Sequence, residues 1–308
     1  MKNNFTQQVA RKLLNTEMGP HTLARLWRGL EIHFVKKQSA PFTILEVNRI
    51  STVMFNLKTM DGDVFDETYS YIVAYDRKNG EIVSFYRFIL CKDAIHNPLD
   101  IHLSTAKYFN LSQEFVSKIL PVTIELGRSV VNKTAKNQED ALQAVWIGLG
   151  VLAYEYYLHP KSIKVDYFFG KFSLQWSLYN EKNRDMILFL FSKHFPPLRG
   201  ADDQPYITPM YGFKTHLDFT GPESTLTSTD YKADRKILFA YLKDIGLPLP
   251  KLADSYASLG GLTSYGAISN EELCSWENAI LTQIGKISDS YIRRFVDGYQ
   301  TINPNLFI

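Results

Sequence analysis

Apolar residues recur at helical spacing in several parts of the chain. The first such pattern, over residues 21–37, consists of Leu23, Leu26, Trp27, Leu30 and Phe34. Side chains three or four positions apart share one face of a helix, so this segment is predicted to be an amphipathic helix. The same reasoning predicts helices over residues 44–57, 104–118, 139–158, 178–195 and 230–245.

Runs of β-branched and aromatic residues between those segments predict strands. Residues 69–75 and 81–91 form two such runs, and the loop between them contains Asn79-Gly80, a strong hairpin signal. Further strands are predicted over residues 121–131, 163–169 and 278–287, whereas 196–229 is punctuated by Pro and Gly and predicted to be irregular. Alternating strands and helices predict an α/β fold, with a central mixed sheet flanked by helices.

The composition is that of a globular protein with a large core. The 308 residues are 45% hydrophobic and 14% aromatic, and the formal net charge is only +2. A chain with so little net charge lacks the basic field of a typical nucleic-acid-binding protein, so no nucleic-acid partner is expected. The aromatic runs lack interleaved Lys and Arg, which favours core packing over base stacking.

Positive charge is concentrated at the N-terminus. Residues 1–40 hold seven basic and two acidic residues, a balance of +5, so the remainder carries −3. We therefore predict a basic, amphipathic, helical N-terminal segment over residues 1–40, separate from a domain over 41–308. Its helix would either dock on the core or lie on an anionic membrane surface, with Trp27 at the interface.

Several classes of site and location are not supported by the sequence. Cys91 and Cys274 are isolated, which fits a reducing cytoplasm, and the seven His show no ligand spacing, so no metal is expected. Gly148-Leu149-Gly150 resembles a dinucleotide fingerprint, but it lies inside a predicted helix and favours close packing instead. No run approaches the roughly 20 apolar residues that span a bilayer, so membrane contact would be peripheral.

The candidate chemistry centres on Glu125-Leu126-Gly127-Arg128, where an acid and a base lie inside an apolar strand. Burying an unpaired charge costs several kcal/mol, so these residues either pair with each other or serve a site. Strand alternation places Glu125 and Arg128 on opposite faces, but a bulge at Gly127 would bring them to one face and free a backbone N–H.

Four motifs in this order resemble the N-acyl amino acid synthases, an acyl-carrier-dependent branch of the GNAT acyltransferases that is related to the acyl-homoserine lactone synthases. The motifs are Asp63-Val-Phe-Asp66, Tyr71-Ile-Val-Ala-Tyr-Asp76, Ile82-Val-Ser-Phe-Tyr-Arg87 and Glu125-Leu-Gly-Arg-Ser129. The resemblance covers roughly residues 44–195, and residues 241–296 are similar to the family's C-terminal part. It implies a GNAT-like fold, with a C-terminal extension of the domain over 41–308.

The resemblance also implies roles for individual residues. Glu125 would act as general base on the attacking amine, and Arg128 and Arg87 would orient Glu125 or bind a substrate carboxylate. Further substrate contacts are implied for Asp63, Asp66, Arg49, Gly127 and Val130.

One departure from the wider family concerns the turn after the Glu125 strand. Relatives that use acetyl-CoA have a Gly-rich turn that holds a pyrophosphate at a helix N-terminus. Here residues 132–138 contain no glycine, which fits an acyl carrier protein as donor, because its phosphopantetheine carries a single phosphate. Lys133 and Lys136 either meet the acidic carrier surface or are simply solvated.

We therefore expect transfer of a long, 3-hydroxy fatty acyl group from acyl carrier protein to the amine of an amino acid, which yields a lyso-aminolipid. No tightly bound cofactor is implied, and the protein is expected in the cytoplasm, in peripheral contact with the inner membrane. An acyl-homoserine-lactone-type synthase is one alternative. A non-catalytic protein that binds a lipid or acyl carrier is another. The acceptor, the acyl-chain length and the oligomeric state stay open.

Overall fold

Helices and strands alternate along the computed structural model, which describes residues 2–56, 63–97, 100–159, 163–259, 262–303 and 306. The helices are α1 Lys2–Glu17, α2 Pro41–Phe55, α3 Ala141–Ala153, α4 Glu181–His194, α5 Thr220–Thr225, α6 Tyr231–Asp244, α7 Lys251–Ser258 and α8 Asp289–Val296. The strands are β1 Leu23–Trp27, β2 Leu30–Lys36, β3 Ser70–Asp76, β4 Glu81–Leu90, β5 Ile95–Asn97, β6 Asp100–Ile101, β7 Phe109–Leu111, β8 Thr123–Val131, β9 Tyr167–Gln175, β10 Ile207–Pro209, β11 Leu262–Asn270 and β12 Ser275–Gln283. The predicted α/β class is confirmed.

The chain forms two compact units. The first comprises Met1–Leu90, Leu126–Val165 and Asp289–Ile308, and the second comprises Cys91–Glu125 and Asp166–Ser288. No boundary falls at residue 40, so the N-terminal segment that we predicted to be separate belongs to the first unit.

In the first unit β1 to β4 pair consecutively in antiparallel fashion, and β8 follows β4 in the strand order. The Asn79-Gly80 hairpin prediction is confirmed, because Gly80 lies in the β3–β4 turn at φ 67°. The apolar core between α1, α2 and the strands includes Leu14, Val47, Val73 and Val130.

The helix predicted over residues 21–37 is wrong, because this segment is the β1–β2 hairpin. Trp27 pairs with Leu30 across a two-residue turn of Arg28 and Gly29, which have φ values of 47° and 80°. Two consecutive positive φ angles give the strand twist that a tight hairpin needs, and glycine adopts them without strain. β2 pairs with β3, and Ile32 on β2 is 0% exposed. Strand pairing and burial therefore outweigh the helical spacing of the apolar residues in this segment.

Gly148 allows α3 to lie close to the strands, which confirms the packing interpretation of the glycine pair. A Cβ there would lie 2.3 Å from Cγ2 of Ile72 and 3.3 Å from that of Ile32. We expect Gly148→Ala to lower the free energy of unfolding by about 1–2 kcal/mol, because overpacking outweighs the better helix propensity of alanine. Gly221→Ala in α5 is the matched control, since nothing lies near its Cβ. Denaturant titration should give changes of opposite sign, and two similar stabilisations would contradict the packing role.

His33 is a buried titratable group in β2. Its Nε2 donates to Glu31 at 2.9 Å, and its Nδ1 lies 2.9 Å from the hydroxyl of Thr22. Burial lowers the pKa of His33 from 6.5 to about 4, although the Glu31 carboxylate partly opposes this shift. Between pH 6.5 and about 4, His33 takes up a proton in the unfolded chain but not in the folded protein.

The free energy of unfolding should therefore decrease as the pH is lowered from 6.5 to 4. We expect His33 to account for a loss of about 3 kcal/mol across this window, with no contribution above pH 6.5. Urea titrations of wild type and His33→Gln at several pH values would measure it. The variant should show a shallower slope, and identical slopes would contradict the assignment.

In the second unit β9 pairs in parallel with the Thr123–Glu125 part of β8, and β12 pairs antiparallel with both β9 and β11. This combination confirms a mixed, mainly antiparallel sheet. The helix predicted over 104–118 is wrong. That region contains a 3₁₀ turn at Thr105–Lys107, the short strand β7 and a π-helical turn at Phe115–Ile119. None of the described helices is long and apolar enough to cross a membrane.

Candidate active site

Six polar side chains from five elements meet in the first unit. They are Asn48 on α2, Asp63 and Asp66 around the 3₁₀ turn Val64–Glu67, Tyr71 on β3, Arg87 on β4 and Arg128 on β8. Four of the residues predicted from sequence therefore come together. We call these six residues the Arg–Asp cluster.

Asp66 lies at the base of the Arg–Asp cluster with its side chain 1% exposed. Its carboxylate accepts hydrogen bonds from Nδ2 of Asn48 at 2.8 Å, the hydroxyl of Tyr71 at 2.6 Å and the backbone N–H of Asp63 at 3.2 Å. Asp63 in turn accepts from the backbone N–H of Phe65. These reciprocal bonds form a capping box, which explains why two aspartates three positions apart begin the turn.

Arg87 is almost fully buried beside the two aspartates. One Nη donates to Asp63 at 2.8 Å and lies 3.7 Å from Asp66, and the guanidinium stacks over the ring of Tyr69 at 4.7 Å. Burial opposes the charge of Arg87, but Tyr71 and Asp63 hold its pKa above the ordinary value. Within the described part of the chain, no acceptor bonds to the buried Nε of Arg87.

Arg128 approaches the same aspartates from β8. One Nη donates to Oδ1 of Asn48 at 2.6 Å and contacts Asp66 at 3.4 Å, while the other Nη lies 3.5 Å from Asp63. Its backbone has φ 49°, a left-handed conformation that costs a non-glycine residue energy and is found often at functional sites. The left-handed backbone conformation within β8 thus lies at Arg128, one residue after Gly127, where a bulge was predicted.

Two arginines and two aspartates make the Arg–Asp cluster formally neutral. Burial alone would raise the pKa of Asp63, but the charges of Arg87 and Arg128 lower it overall, so Asp63 stays ionised. Burial raises the pKa of Tyr71, which keeps its hydroxyl protonated as a donor to Asp66. Asp63 and Arg128, with 22% and 16% exposed side chains, are the charged members that solvent reaches most.

Glu125 has partners in the second unit, namely Ser104 and Thr105. It is 0% exposed and accepts hydrogen bonds from the backbone N–H of Thr105 at 2.8 Å and from the N–H and hydroxyl of Ser104. The carboxylate thereby caps the 3₁₀ turn Thr105–Lys107. Burial, together with the charge of Glu125, raises the pKa of the neighbouring Cys91 thiol. The sequence left open whether Glu125 and Arg128 pair with each other or serve a site. In the structure Glu125 bonds to Ser104 and Thr105, and Arg128 bonds to Asn48 and Tyr71.

The remaining predicted site residues lie outside the Arg–Asp cluster. Arg49 is half-exposed and forms an ion pair with Glu46 at 2.7 Å, while the Val130 side chain packs in the apolar core. Gly127 on β8 is half-buried. The sequence has a third aspartate, Asp61, just before Asp63 and Asp66, and it lies outside the described residues. The described residues contain no metal-ligand cluster.

The turn after β8 is folded on itself by Asn132. This buried side chain donates to the carbonyl of Ile82 at 2.9 Å and accepts from the N–H and hydroxyl of Thr134. The backbone N–H of Ala135 is also used, by the carbonyl of Asn132. Lys133 and Lys136 project from this turn and are exposed.

Sequence reasoning missed Asn48 and Tyr71. Asn48 is a buried amide on the apolar face of α2, and Tyr71 is a fully buried hydroxyl in a central strand. Buried polar groups need partners, so an Asn at a core position of a predicted helix is the signal that could have identified Asn48.

Comparisons with known proteins show to which family the chain belongs. Residues 49–146 match the model of an acetyltransferase (GNAT) domain. A curated relative from Phocaeicola vulgatus, named glycine N(alpha)-acyltransferase, is 30% identical over 96% of this chain and 93% of its own length. The chain belongs to the GNAT acyltransferase family. A glycine N(alpha)-acyltransferase from Bacteroides thetaiotaomicron is 27% identical to this acyltransferase, over 94% of the chain and 90% of that protein.

Solved structures with detectable similarity to this acyltransferase include two CoA-dependent acyl-homoserine lactone synthases. BjaI, solved with SAM and isopentyl-CoA, has a TM-score of 0.38 at 10% identity, covering 89% of this chain and 92% of its own. MesI has a TM-score of 0.35 at 11% identity, covering 87% and 94%. The matched GNAT domain includes the whole Arg–Asp cluster except Asn48.

Proposed function

We propose that this acyltransferase moves a long 3-hydroxy fatty acyl group from acyl carrier protein to the α-amine of an amino acid, with glycine as the first acceptor to test. The product would be an N-acyl amino acid, a lyso-aminolipid. The observation that carries the proposal is the 30% identity over nearly the whole length of a relative named glycine N(alpha)-acyltransferase.

The Arg–Asp cluster has the charges that recognise an amino acid. Arg128 can bind the acceptor carboxylate, and the partly exposed, ionised Asp63 can receive its ammonium. Both groups are held by buried partners, so little side-chain freedom is lost when the acceptor binds. The ion pairs of Asp63 with Arg87 and Arg128 are closely spaced. This spacing favours a small acceptor such as glycine, which has no side chain.

In the proposed reaction the amine loses a proton and its nitrogen attacks the thioester carbonyl. A C–N bond forms, the C–S bond breaks, and the carrier thiol leaves with a proton. Glu125 remains our proposed general base, acting directly or through water. Its hydrogen bonds to Ser104 and Thr105 support a second contribution, which is to hold the turn that begins there.

An acyl carrier protein as donor is supported by the turn after β8. Asn132 and the internal hydrogen bonds of this turn use groups that a pyrophosphate would otherwise engage, whereas the exposed Lys133 and Lys136 suit an acidic partner. We expect Lys133→Glu/Lys136→Glu to raise the KM for acyl carrier protein about tenfold, since rim charges act mainly on association. The KM for the amino acid should not change. An unchanged carrier KM would assign the two lysines to solvent.

We also propose a cytoplasmic location with peripheral membrane contact, but the basic N-terminus supports it less than its charge suggests. Arg25 donates to the carbonyls of Phe295 and Asp297 at 2.6 and 2.7 Å, and Arg28 stacks on Trp27. These charges therefore stabilise the fold. Co-sedimentation with anionic and with neutral vesicles tests the contact, and equal recovery with both would remove the electrostatic component.

The function is tested by mass spectrometry of reactions that contain purified protein, 3-hydroxypalmitoyl carrier protein and a pool of amino acids. We expect one N-acyl amino acid to accumulate, with glycine the preferred acceptor, and the carrier thioester to be consumed. Parallel reactions with the same acyl group on CoA test the donor. An intact thioester and no N-acyl product with any amino acid would reject the proposal and favour a binding protein.

A further inference from the structure

We propose that Asn48 and Tyr71 are positioning residues that fix the guanidinium of Arg128 for the acceptor. This inference rests on the proposed function, because it assigns Arg128 to substrate recognition. It also separates the two aspartates. Asp66 belongs to the buried support of Arg128, whereas Asp63 faces the substrate.

Asn48 uses both ends of its amide within the Arg–Asp cluster. Its Nδ2 donates to Asp66 at 2.8 Å and its Oδ1 accepts from Arg128 at 2.6 Å. A carboxylate only accepts and a guanidinium only donates, so the chemistry of the partners fixes which way the amide points. The residue is 7% exposed, which leaves few alternative partners from solvent.

Tyr71 supplies a second connection between the same two partners. Its hydroxyl donates to Asp66 at 2.6 Å, so its lone pairs are left to accept from Nη1 of Arg128 at 3.3 Å. The ring is fully buried and packs edge-on against Phe85. The hydroxyl therefore has a fixed position.

These contacts all engage one end of Arg128. Its Nη1 bonds to Asn48, Tyr71 and Asp66, while its Nη2 reaches, among the described residues, only Asp63, at 3.5 Å. The Nη2 contact is long for a hydrogen bond, so a substrate carboxylate can compete for it. The guanidinium is thus held at Nη1 and presents Nη2 to the acceptor.

Steady-state kinetics of Asn48→Ala and Tyr71→Phe test the proposal, with Ser51→Ala as control. Ser51 is also buried on α2, and its hydroxyl has no partner among the described residues. We expect the amino acid KM to rise about tenfold to a hundredfold in Asn48→Ala, since a bond to a charged group is lost, and less in Tyr71→Phe. The KM for the acyl donor should not change. Equal losses for both substrates would mean a purely structural role.

The variant Asn48→Asp adds a pH readout. It keeps the oxygen that accepts from Arg128 but places a second carboxyl group against Asp66. Two adjacent carboxylates share a proton more readily than isolated ones, and the protonated pair restores the missing donor. We expect the kcat/KM of this variant, divided by that of wild type at the same pH, to rise as pH falls from 8 to about 6. A constant ratio to wild type across pH would contradict the proposal.

A measurement without turnover distinguishes this inference from the proposed function. The Nε–H signal of Arg128 in ¹⁵N NMR spectra, assigned with Arg128→Lys, should be resolved in wild type and Ser51→Ala and broadened or lost in Asn48→Ala. Glycine should shift it in wild type. An identical Arg128 signal in Asn48→Ala overturns the positioning role. Absence of any N-acyl product, with the expected signal changes, would reject only the reaction.

Discussion

Asp66→Ala is expected to destabilise the protein by about 3–5 kcal/mol, the cost of breaking a buried charge network by removing one partner. Asp66 is 1% exposed and accepts from Asn48, Tyr71 and the backbone of Asp63. Its loss leaves those donors unsatisfied and removes a countercharge from two arginines. Denaturant unfolding followed by tryptophan fluorescence measures the change.

Asp63→Ala and Asp66→Asn are the matched variants. Asp63 is 22% exposed, so water can replace part of what its carboxylate provides, and the stability loss should stay near 1–2 kcal/mol, roughly the value of a partly exposed charged hydrogen bond. Asp66→Asn keeps an acceptor oxygen and should fall between the two alanine variants. Equal losses for Asp63→Ala and Asp66→Ala would show that burial does not separate their roles.

Arg128→Gly is expected to abolish most activity while keeping the fold. Loss of an oriented, charged donor to a substrate should lower kcat/KM by about 10²–10³. Glycine adopts the observed φ of 49° without strain, so Arg128→Gly should be about 1 kcal/mol more stable than Arg128→Ala. Both variants should be almost equally inactive. Kinetics and unfolding of the pair measure the two effects separately.

Two outcomes would contradict that expectation. If Arg128→Ala were the more stable variant, the left-handed backbone would not be strained in the way proposed. If either variant retained near-wild-type kcat/KM for the amino acid, Arg128 would have no part in acceptor recognition, and Arg87 would become the main candidate.

The sequence predicts most strands because their patterns are local, but it mistakes the first hairpin for a helix. Leu23, Leu26 and Leu30 lie at helical spacing, whereas Leu30, Ile32 and Phe34 also alternate in the way of a strand. Two patterns coexist, and only the Arg28-Gly29 turn and pairing with β3 select the hairpin. Tertiary pairing thus overrides a helical period of the same residues.

The candidate site was predictable as far as its charges are unusual in their local sequence. Arg128 was identified in this way, whereas Asp63, Asp66 and Arg87 were identified through the resemblance to the N-acyl amino acid synthases. All four come together in the structure. The partners of Asn48 and Tyr71 could not be predicted from the local sequence. Asp66 lies 18 positions from Asn48 and 5 from Tyr71, and Arg128 lies farther still from both. Glu125 and Arg128 are three positions apart in sequence, yet Glu125 bonds to Ser104 and Thr105 whereas Arg128 bonds to Asn48 and Tyr71.

The most direct test of the account compares wild type with Arg128→Gly in reactions that contain 3-hydroxypalmitoyl carrier protein and ¹⁵N-glycine. We predict that wild type forms N-acyl-¹⁵N-glycine in an amount equal to the carrier thiol released, and that Arg128→Gly forms about 1% as much or less. Thioester consumption by wild type without ¹⁵N in an acylated product, or equal product from both proteins, would contradict amino acid acylation at the Arg–Asp cluster.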